Sequence, residues 1–312
     1  MIEDACRISV VIPLFNEEEG LAELHRRLVD VLSPMEGGFE IIFVDDGSTD
    51  NSFEVLRGIH QKTPNVRVLR LRRNVGKAAA LSVGFRNSRG DIILTLDADL
   101  QDVPEEIPRL LAKIDEGYDL VSGWKVHRQD SWLKTAPSWL FNRVTNFLSG
   151  THLHDINCGF KAYRKEVIRE ICLYGELHRY IPVQAAWRGY RVGEVEVVHA
   201  SRRYGRSKYG PHRFYRGFFD LLTVLFLTRY FRRPLHFFGM LGSIFLTGGL
   251  AINLYITYLR FRHGHIMERY PLLFLGVLLM VVGIQLVTTG FLGEMITSMH
   301  NESDDIIRER LE

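Results

Sequence analysis

Residues 92–102 read IILTLDADLQD, an apolar run that stops on two carboxylates one residue apart, Asp97 and Asp99, followed by Gln101 and Asp102. A run this uniformly apolar and β-branched fits a strand covered on both faces, and such strands belong to parallel sheets flanked by helices. The surrounding sequence has the matching rhythm. Strands are expected at Ile8–Pro13, Glu40–Val44, Val66–Leu71, Asp91–Leu96 and Leu120–Gly123, and helices at Glu18–Leu32, Lys77–Asn87 and Pro104–Glu116. Leu21, Leu24, Leu28 and Val31 fall on one face of the first helix. A Ser or Asp cap within Asp45-Asp46-Gly47-Ser48-Thr49-Asp50 is expected to start a further helix after the second strand. Alternating strands and helices imply an α/β fold with a mostly parallel sheet and right-handed crossovers, and such sheets bind ligands beyond the carboxyl ends of their strands. Those ends carry Asn16-Glu17, Asp45-Asp46 and Asp97-Ala98-Asp99, so three polar clusters converge on one edge.

The chemistry of the third cluster is specific. Carboxylate oxygens, with the Gln101 amide oxygen two positions on, are hard ligands suited to Mg²⁺ or Mn²⁺. An ion held there bridges a diphosphate and stabilises it as a leaving group. The other nucleotide folds of this architecture do not fit. The first strand is followed by Pro13-Leu14-Phe15-Asn16-Glu17 rather than a G-x-G-x-x-G turn. Gly76-Lys77 is followed by Ala78 where a P-loop needs Ser or Thr.

Of the 312 residues 46% are hydrophobic, and the net charge of +2 is near neutral; its distribution is uneven. Between Arg202 and Arg233 nine basic residues face a lone Asp220, directly before the first long apolar segment. Cations in that position suit an anionic membrane surface better than a nucleic acid, and no nucleic-acid partner is expected. Leu235–Leu259 carries no Asp, Glu, Lys or Arg, and Tyr270–Gly293 is a second such stretch. At 1.5 Å per residue each is long enough to cross a hydrocarbon core of about 30 Å. The short linker makes the pair a hairpin, with Tyr255, Tyr258 and Tyr270 at interface depth. The basic strip places the N-terminal side in the cytoplasm. Pro211–Thr228 mixes apolar and basic residues as an interfacial helix does. The expected organisation is a catalytic domain over 1–210, an interfacial segment over 211–233, two spans within 234–297 and a tail over 298–312. The acidic opening MIEDACRISVVIPLF gives no secretory signal, and Cys6, Cys158 and Cys172 suggest reduced thiols without a zinc site. An inner-membrane, multi-pass protein with a cytoplasmic catalytic domain is the expectation. Small residues in the spans, among them Gly239, Gly242, Gly249, Gly283, Gly290 and Gly293, permit close helix contacts, in the hairpin or in a homo-oligomer.

Taken together, VVIPLFNEE at 10–18, VDDGSTDNS at 44–52, RNVGK at 73–77, DADLQD at 97–102, NCGFKAYR at 157–164 and RYGRSKYG at 203–210, followed by two spans, resemble the family-2 glycosyltransferases of the GT-A fold. The resemblance is to the polyprenyl-phosphate branch, which includes dolichyl-phosphate mannose synthase and bacterial undecaprenyl-phosphate glycosyltransferases. It implies a nucleotide-sugar pocket lined by Pro13, Phe15, Glu17, Asp45, Lys77 and Ala98, with Asp46 ordering its turn, and Asp97, Asp99 and Gln101 holding the metal and the donor diphosphate. It implies an acceptor-phosphate site from Lys125, Arg128, Lys134 and Ser138 and from Arg203, Ser207 and Lys208. Arg and Lys there would make charge-assisted hydrogen bonds to a dianionic head group.

The implied reaction moves a sugar from a nucleotide diphosphate donor, UDP-linked in most two-span bacterial relatives, to a polyprenyl phosphate, with inversion. A phosphate monoester has a second pKa near 6 and needs no general base to become a nucleophile. Two alternatives remain. A processive polysaccharide synthase carries Q-x-x-R-W and more spans, whereas Gln184-Ala-Ala-Trp187-Arg188 has the last two residues reversed. A non-catalytic nucleotide-sugar-binding protein would not need Glu17, Asp97, Asp99 and Gln101 intact.

Overall fold

The computed structural model describes residues 6–125, 153–171, 173, 177–200, 234–264 and 269–298. They belong to two compact units divided after Val224.

The first unit is built on strands β1 (Ile8–Leu14), β2 (Phe39–Asp45), β3 (Val66–Arg70), β4 (Ile92–Thr95), β5 (Leu120–Lys125), β6 (Lys161–Arg164) and β7 (Val192–Val197). Its helices are α1 (Leu21–Leu32), α2 (Ser52–Lys62), α3 (Lys77–Asn87), α4 (Ile107–Asp115), α5 (Lys165–Glu170) and α6 (Ile181–Trp187). Among the described residues the strands form one sheet in the order β3-β2-β1-β4-β6-β5-β7. β1 pairs in parallel with β2 and β4, β2 with β3, and β5 with β7; β6 runs against both of its neighbours. The carboxyl ends of six strands and the amino end of β6 therefore share one edge.

The strand pattern explains the two cores. Every residue of β1 is buried, and successive side chains go to opposite faces. Ile8, Val10, Ile12 and Leu14 pack with the leucines of α1 and with Ile107, Leu110 and Ile114 of α4. Val11 packs on the other face with Ile42, Val44 and the Ala80-Leu81 pair of α3. Leu21, Leu24, Leu28 and Leu32 of α1 are fully buried, and each stabilises the fold by roughly 1.5–3 kcal/mol. At the amino ends of the strands, Glu40 is a buried brace. Its Oε1 accepts from Ser9 Oγ at 2.6 Å and from the Arg89 amide at 2.6 Å, and its Oε2 pairs with Arg67 at 2.9 Å.

The elements lie where the alternation places them, with three adjustments. The first helix begins at Leu21 rather than Glu18, because the residues before it are bonded to the loop after β2. The segment expected as one helix from Pro104 opens with a 3-10 turn, Pro104–Glu106, before α4. No side chain at the N-cap position, Asn51, caps α2; instead Asp50 Oδ1 accepts from the Ser52 amide at 3.0 Å, and Glu18 Oε2 accepts from the Asn51 amide at 2.8 Å.

The second unit is a helical hairpin, α7 (Pro234–His263) and α8 (Tyr270–Ser298), both long and apolar enough to cross a membrane. Large apolar side chains such as Met240 (62% exposed) and Phe274 (69%) point outward, as hydrocarbon-facing residues do. Glycine sets the contact between the helices. A Cβ on Gly242 would lie 2.7 Å from the Gly283 carbonyl oxygen, and one on Gly249 2.5 Å from that of Gly276. Gly290 and Gly293 meet Leu235 and Pro234 in the same way, whereas Gly248 faces open space. Glu294 Oε2 accepts from the Leu235 amide at 3.2 Å, capping a free N–H in the first turn of α7. Both helices outrun the expected spans, α7 to His263 and α8 to Ser298; in the added turn of α7 Arg262 donates to the Tyr258 hydroxyl at 2.8 Å.

Removing the Glu40 brace tests the first unit. Glu40→Ala leaves a buried hydroxyl and a backbone amide without their acceptor, and we expect it to cost roughly 2–4 kcal/mol. Urea unfolding of the detergent-solubilised chain should show a lower midpoint at unchanged slope, with Glu40→Gln intermediate.

Candidate active site

The carboxyl edge is assembled from loops that hold one another. Asn16 adopts a left-handed backbone (φ 54°), which asparagine tolerates. Its amide donates to Ser48 Oγ at 2.9 Å, its Oδ1 accepts from the Thr49 amide at 2.8 Å, and the Glu17 amide donates to Ser52 Oγ at 3.0 Å. Gly47 sits at φ 70°, where a Cβ would lie 2.6 Å from the backbone carbon of Arg73, so only glycine lets the two loops meet. Asp46 ties this turn to the loop before α3: Oδ1 accepts from the Val75 amide at 2.8 Å and Oδ2 from the Gly76 amide at 2.9 Å. Asp45 is fully buried; its Oδ1 accepts from the Ser48 amide at 2.8 Å, and its Oδ2 lies 3.4 Å from Arg70, whose guanidinium stacks on Phe53 at 4.4 Å. Phe15 and Glu17 are half-buried at the mouth and Pro13 is buried below them.

The segment after β4 alternates by burial. Ala98 and Leu100 are buried in the core, while Asp97, Asp99 and Gln101 stay half-exposed at the edge. Leu100 reaches the core from a left-handed backbone (φ 58°), a strained conformation for leucine that turns the chain back on itself. Asp97 pairs with Lys77 at the start of α3. Burial pushes the Asp97 carboxyl up, but the charge and hydrogen bond of Lys77, with Lys125 and His178 behind, bring it down to about 2. Asp99 Oδ1 accepts from the Gln101 amide at 3.2 Å. Among the described residues no three His, Cys, Asp or Glu side chains converge as a metal cluster.

Beside Asp97 lies a cleft. Its lining includes Pro13, Lys77 and Asp97, expected at the donor site, together with Gly159, Lys161, Tyr163, His178 and Arg179. Gly159 packs close on Asp97: a Cβ there would lie 3.0 Å from both Asp97 oxygens. Lys161 stands opposite Thr95 in the β4–β6 pairing, is 2% exposed, and donates to the Cys158 carbonyl. Burial lowers its pKa. Burial, with Lys77, Arg179 and Lys161 nearby, also holds His178 well below its usual range, so it is neutral at pH 7. The entry to β6 is fixed from below, where the amides of His154 and Asp155 donate to Glu194 at 2.8 Å and 3.0 Å and His154 stacks on Trp124. Lys161 had a visible signal, a lone cation inside the apolar GFKAY. His178 had none.

Lys125 is held away from Asp97. Its ammonium pairs with the buried Asp102 at 2.8 Å, and that partner draws its pKa upward against the pull of burial. Asp102 Oδ2 also accepts from the Asp97 amide at 3.2 Å, so the pair supports the turn. Arg128, Lys134, Ser138, Arg203, Ser207 and Lys208 lie outside the described residues, as does the segment 211–233.

A mostly parallel sheet with one reversed strand, carrying an Asp-Ala-Asp turn at its carboxyl edge, defines a GT-A-like glycosyltransferase domain. The family model for Glycosyl transferase family 2 matches residues 9–172, and the chain belongs to that family. It is 37% identical over 302 residues to a dodecaprenyl-phosphate galacturonate synthase of Rhizobium johnstonii, covering 95% of this chain and 89% of that one. Among solved structures it resembles glucosyl-3-phosphoglycerate synthase from Mycobacterium tuberculosis crystallised with Mn²⁺, UDP-glucose and phosphoglyceric acid. The TM-score is 0.55 at 19% identity, over 72% of this chain and 79% of that one. A second mycobacterial crystal structure has the same TM-score of 0.55 at 20% identity, over 72% of this chain and 74% of that one. At these identities the two structures establish the fold.

Lys125→Met strands the Asp102 carboxylate, and we expect a loss of about 3–5 kcal/mol in the stability of the first unit. Adding Asp102→Asn should recover most of it, read as thermal melting of single and double variants. A Lys125→Met chain that melts like wild type would refute the structural role.

Proposed function

We propose that the chain transfers a sugar from a UDP-linked donor to a polyprenyl phosphate in one inverting displacement, at the cytoplasmic face of the inner membrane. Family membership supports glycosyl transfer, and the relative's name supports the lipid phosphate as acceptor. The observation that carries the choice of acceptor is the likeness to the dodecaprenyl-phosphate synthase over 95% of this chain, and the character of Asp97 and His178 in the cleft agrees with it. The Asp97 carboxyl lies at about 2, and the His178 ring lies well below its ordinary value. Neither removes a proton from an alcohol efficiently, since a general base works best with a pKa near the operating pH. A phosphate monoester is largely ionised at neutral pH and requires only positioning.

The site fits a divalent ion. Asp97 is held ionised, a cation (the Lys77 ammonium) already occupies its Oδ1, and Asp99 offers a second hard oxygen donor one residue on. Two carboxylates without a third suit Mg²⁺ or Mn²⁺, which take their remaining ligands from water and phosphate oxygens. When bound, the ion would neutralise the charge developing on the departing diphosphate.

The chain's own residues supply the rest. Asp97 and Asp99, with Gln101, hold the donor at the strand end. Asp45 fixes the nucleoside from its braced turn, with Pro13, Phe15 and Glu17 as walls. Lys77 moves between Asp97 and the donor phosphates. Lys125, tied to Asp102, positions the turn rather than touching the acceptor. Arg128, Lys134, Ser138, Arg203, Ser207 and Lys208 take the acceptor phosphate. The hairpin α7–α8 anchors the chain in the bilayer. The galacturonate of the relative's name is one sugar to test among hexoses.

Asp99→Asn should reduce transfer to undecaprenyl phosphate by about 10²-fold or more and weaken Mn²⁺ binding followed by electron paramagnetic resonance, with the melting temperature unchanged. Full transfer by Asp99→Asn would remove the metal from the reading. A chain that releases UDP to no lipid phosphate under any donor would remove the acceptor.

A further inference from the structure

The lining of the cleft holds a buried ammonium with no ion pair among the described residues; the charges of Asp155 and Asp97 act on it only from beyond ion-pair distance. The Lys161 ammonium carries three N–H donors, is 2% exposed, and has the Cys158 carbonyl as its one acceptor among the described residues. No carboxylate there lies within ion-pair distance of it. Beside it in the same lining, His178 Nδ1 is buried with no hydrogen-bond partner. Lys125, the other buried lysine of this region, is answered by Asp102 at 2.8 Å, so the fold can neutralise a cation here when no ligand is to do so. A buried ammonium without an ion-paired partner is costly; a neutral hydroxyl does not remove that cost, whereas an anion in contact does.

Two further features say which anion. The nearest carboxylate in the lining, Asp97, is committed to Lys77, and it stands at the more open rim with 36% of its side chain exposed. Diphosphate oxygens belong at that rim. Leu81, Leu96 and Tyr163 in the lining give the cleft an apolar side suited to the carbon face of a pyranose.

We propose that the sugar transferred is a hexuronate, and that its carboxylate is read by the free N–H groups of Lys161 and by His178 in its Nδ1–H tautomer. This deepens the reading given above and rests on it for the donor site. It makes Lys161 the residue that separates an acidic sugar from its neutral counterpart. Charge-assisted hydrogen bonds of this kind correspond to about 10- to 100-fold in affinity.

The test measures donor binding by calorimetry with the purified full chain, Mg²⁺ and no lipid. UDP-galacturonate is compared with UDP-galactose, and galacturonate 1-phosphate with galactose 1-phosphate. Wild type should prefer the acidic member of each pair by about 10-fold or more. Lys161→Met should abolish the preference with UDP affinity unchanged, and Lys161→Arg should keep most of it. Equal or better binding of the neutral sugars by wild type overturns the proposal. So does a Lys161→Met chain that loses both donors alike. If Lys161→Met does not fold, the wild-type comparison decides alone. Because no lipid is present, uronate selectivity without lipid transfer would refute only the acceptor reading, and efficient transfer of a neutral hexose with no selectivity would refute only this one.

Discussion

The ion pair between Asp97 and Lys77 is the constraint on which the rest of the catalytic edge depends. It joins the end of β4 to the start of α3, so the helix is fixed by the chemistry of the strand tip as well as by packing. It keeps a carboxylate charged next to a buried floor, where burial alone would favour the protonated acid. The charge is then available to a ligand without a proton having to leave first. The surroundings make room for it: Gly159 lets the backbone of the neighbouring segment pass at contact distance, and the apolar Ala98 and Leu100 pin the turn so that Asp97 and Asp99 cannot both swing inward.

The same economy runs along the edge. Acidic residues here act first on their own backbone. Asp46 holds the Val75 and Gly76 amides, Asp45 holds that of Ser48, and Asp50 and Glu18 serve the first turn of α2. Amides that would otherwise be left without acceptors at strand ends and helix starts are satisfied by side chains, some two or three residues away and some 29 to 33 residues away in sequence. Three loops that differ in length thereby behave as one rim, and rigidity at the rim is what a positioning mechanism requires.

Most of this was legible in the sequence because strand periodicity and end chemistry are local. β1, β2 and β4 are apolar runs with polar stops, and their burial follows from the run alone; α3 was bounded to the residue by Lys77 and Asn87. The reversed strand β6 was not legible. KAYR is too short to show a period, and its direction is set by pairing with β4 and β5, which no local pattern encodes. Its floor residues were missed for the same reason: Lys161 is brought beside Thr95 by register, across sixty-odd residues of intervening chain. Lys125, which the family resemblance assigns to the acceptor, is paired with Asp102, and no local pattern in the sequence encodes that pairing. The glycines of the two apolar segments were visible, but which of them face the partner helix is a matter of rotation about the axis, and the structure turns Gly242 and Gly249 inward and Gly248 outward.

The cations of the first unit sort by what answers them. Arg27 and Arg67 meet Glu105 and Glu40, Lys125 meets Asp102, and Lys77 meets Asp97. Two of these pairs, Lys125–Asp102 and Lys77–Asp97, border the same site yet differ in kind. The Asp102 partner is 1% exposed and also holds a backbone amide, so breaking that pair would unseat the turn. The Asp97 partner is 36% exposed and reachable by solvent, so Lys77 can be exchanged for another cation without unburying anything. Burial depth therefore divides a scaffold ion pair from an exchangeable one. By the same measure Lys161, deeper than Lys77 and without a carboxylate of its own, is the position at which an incoming anion gains most.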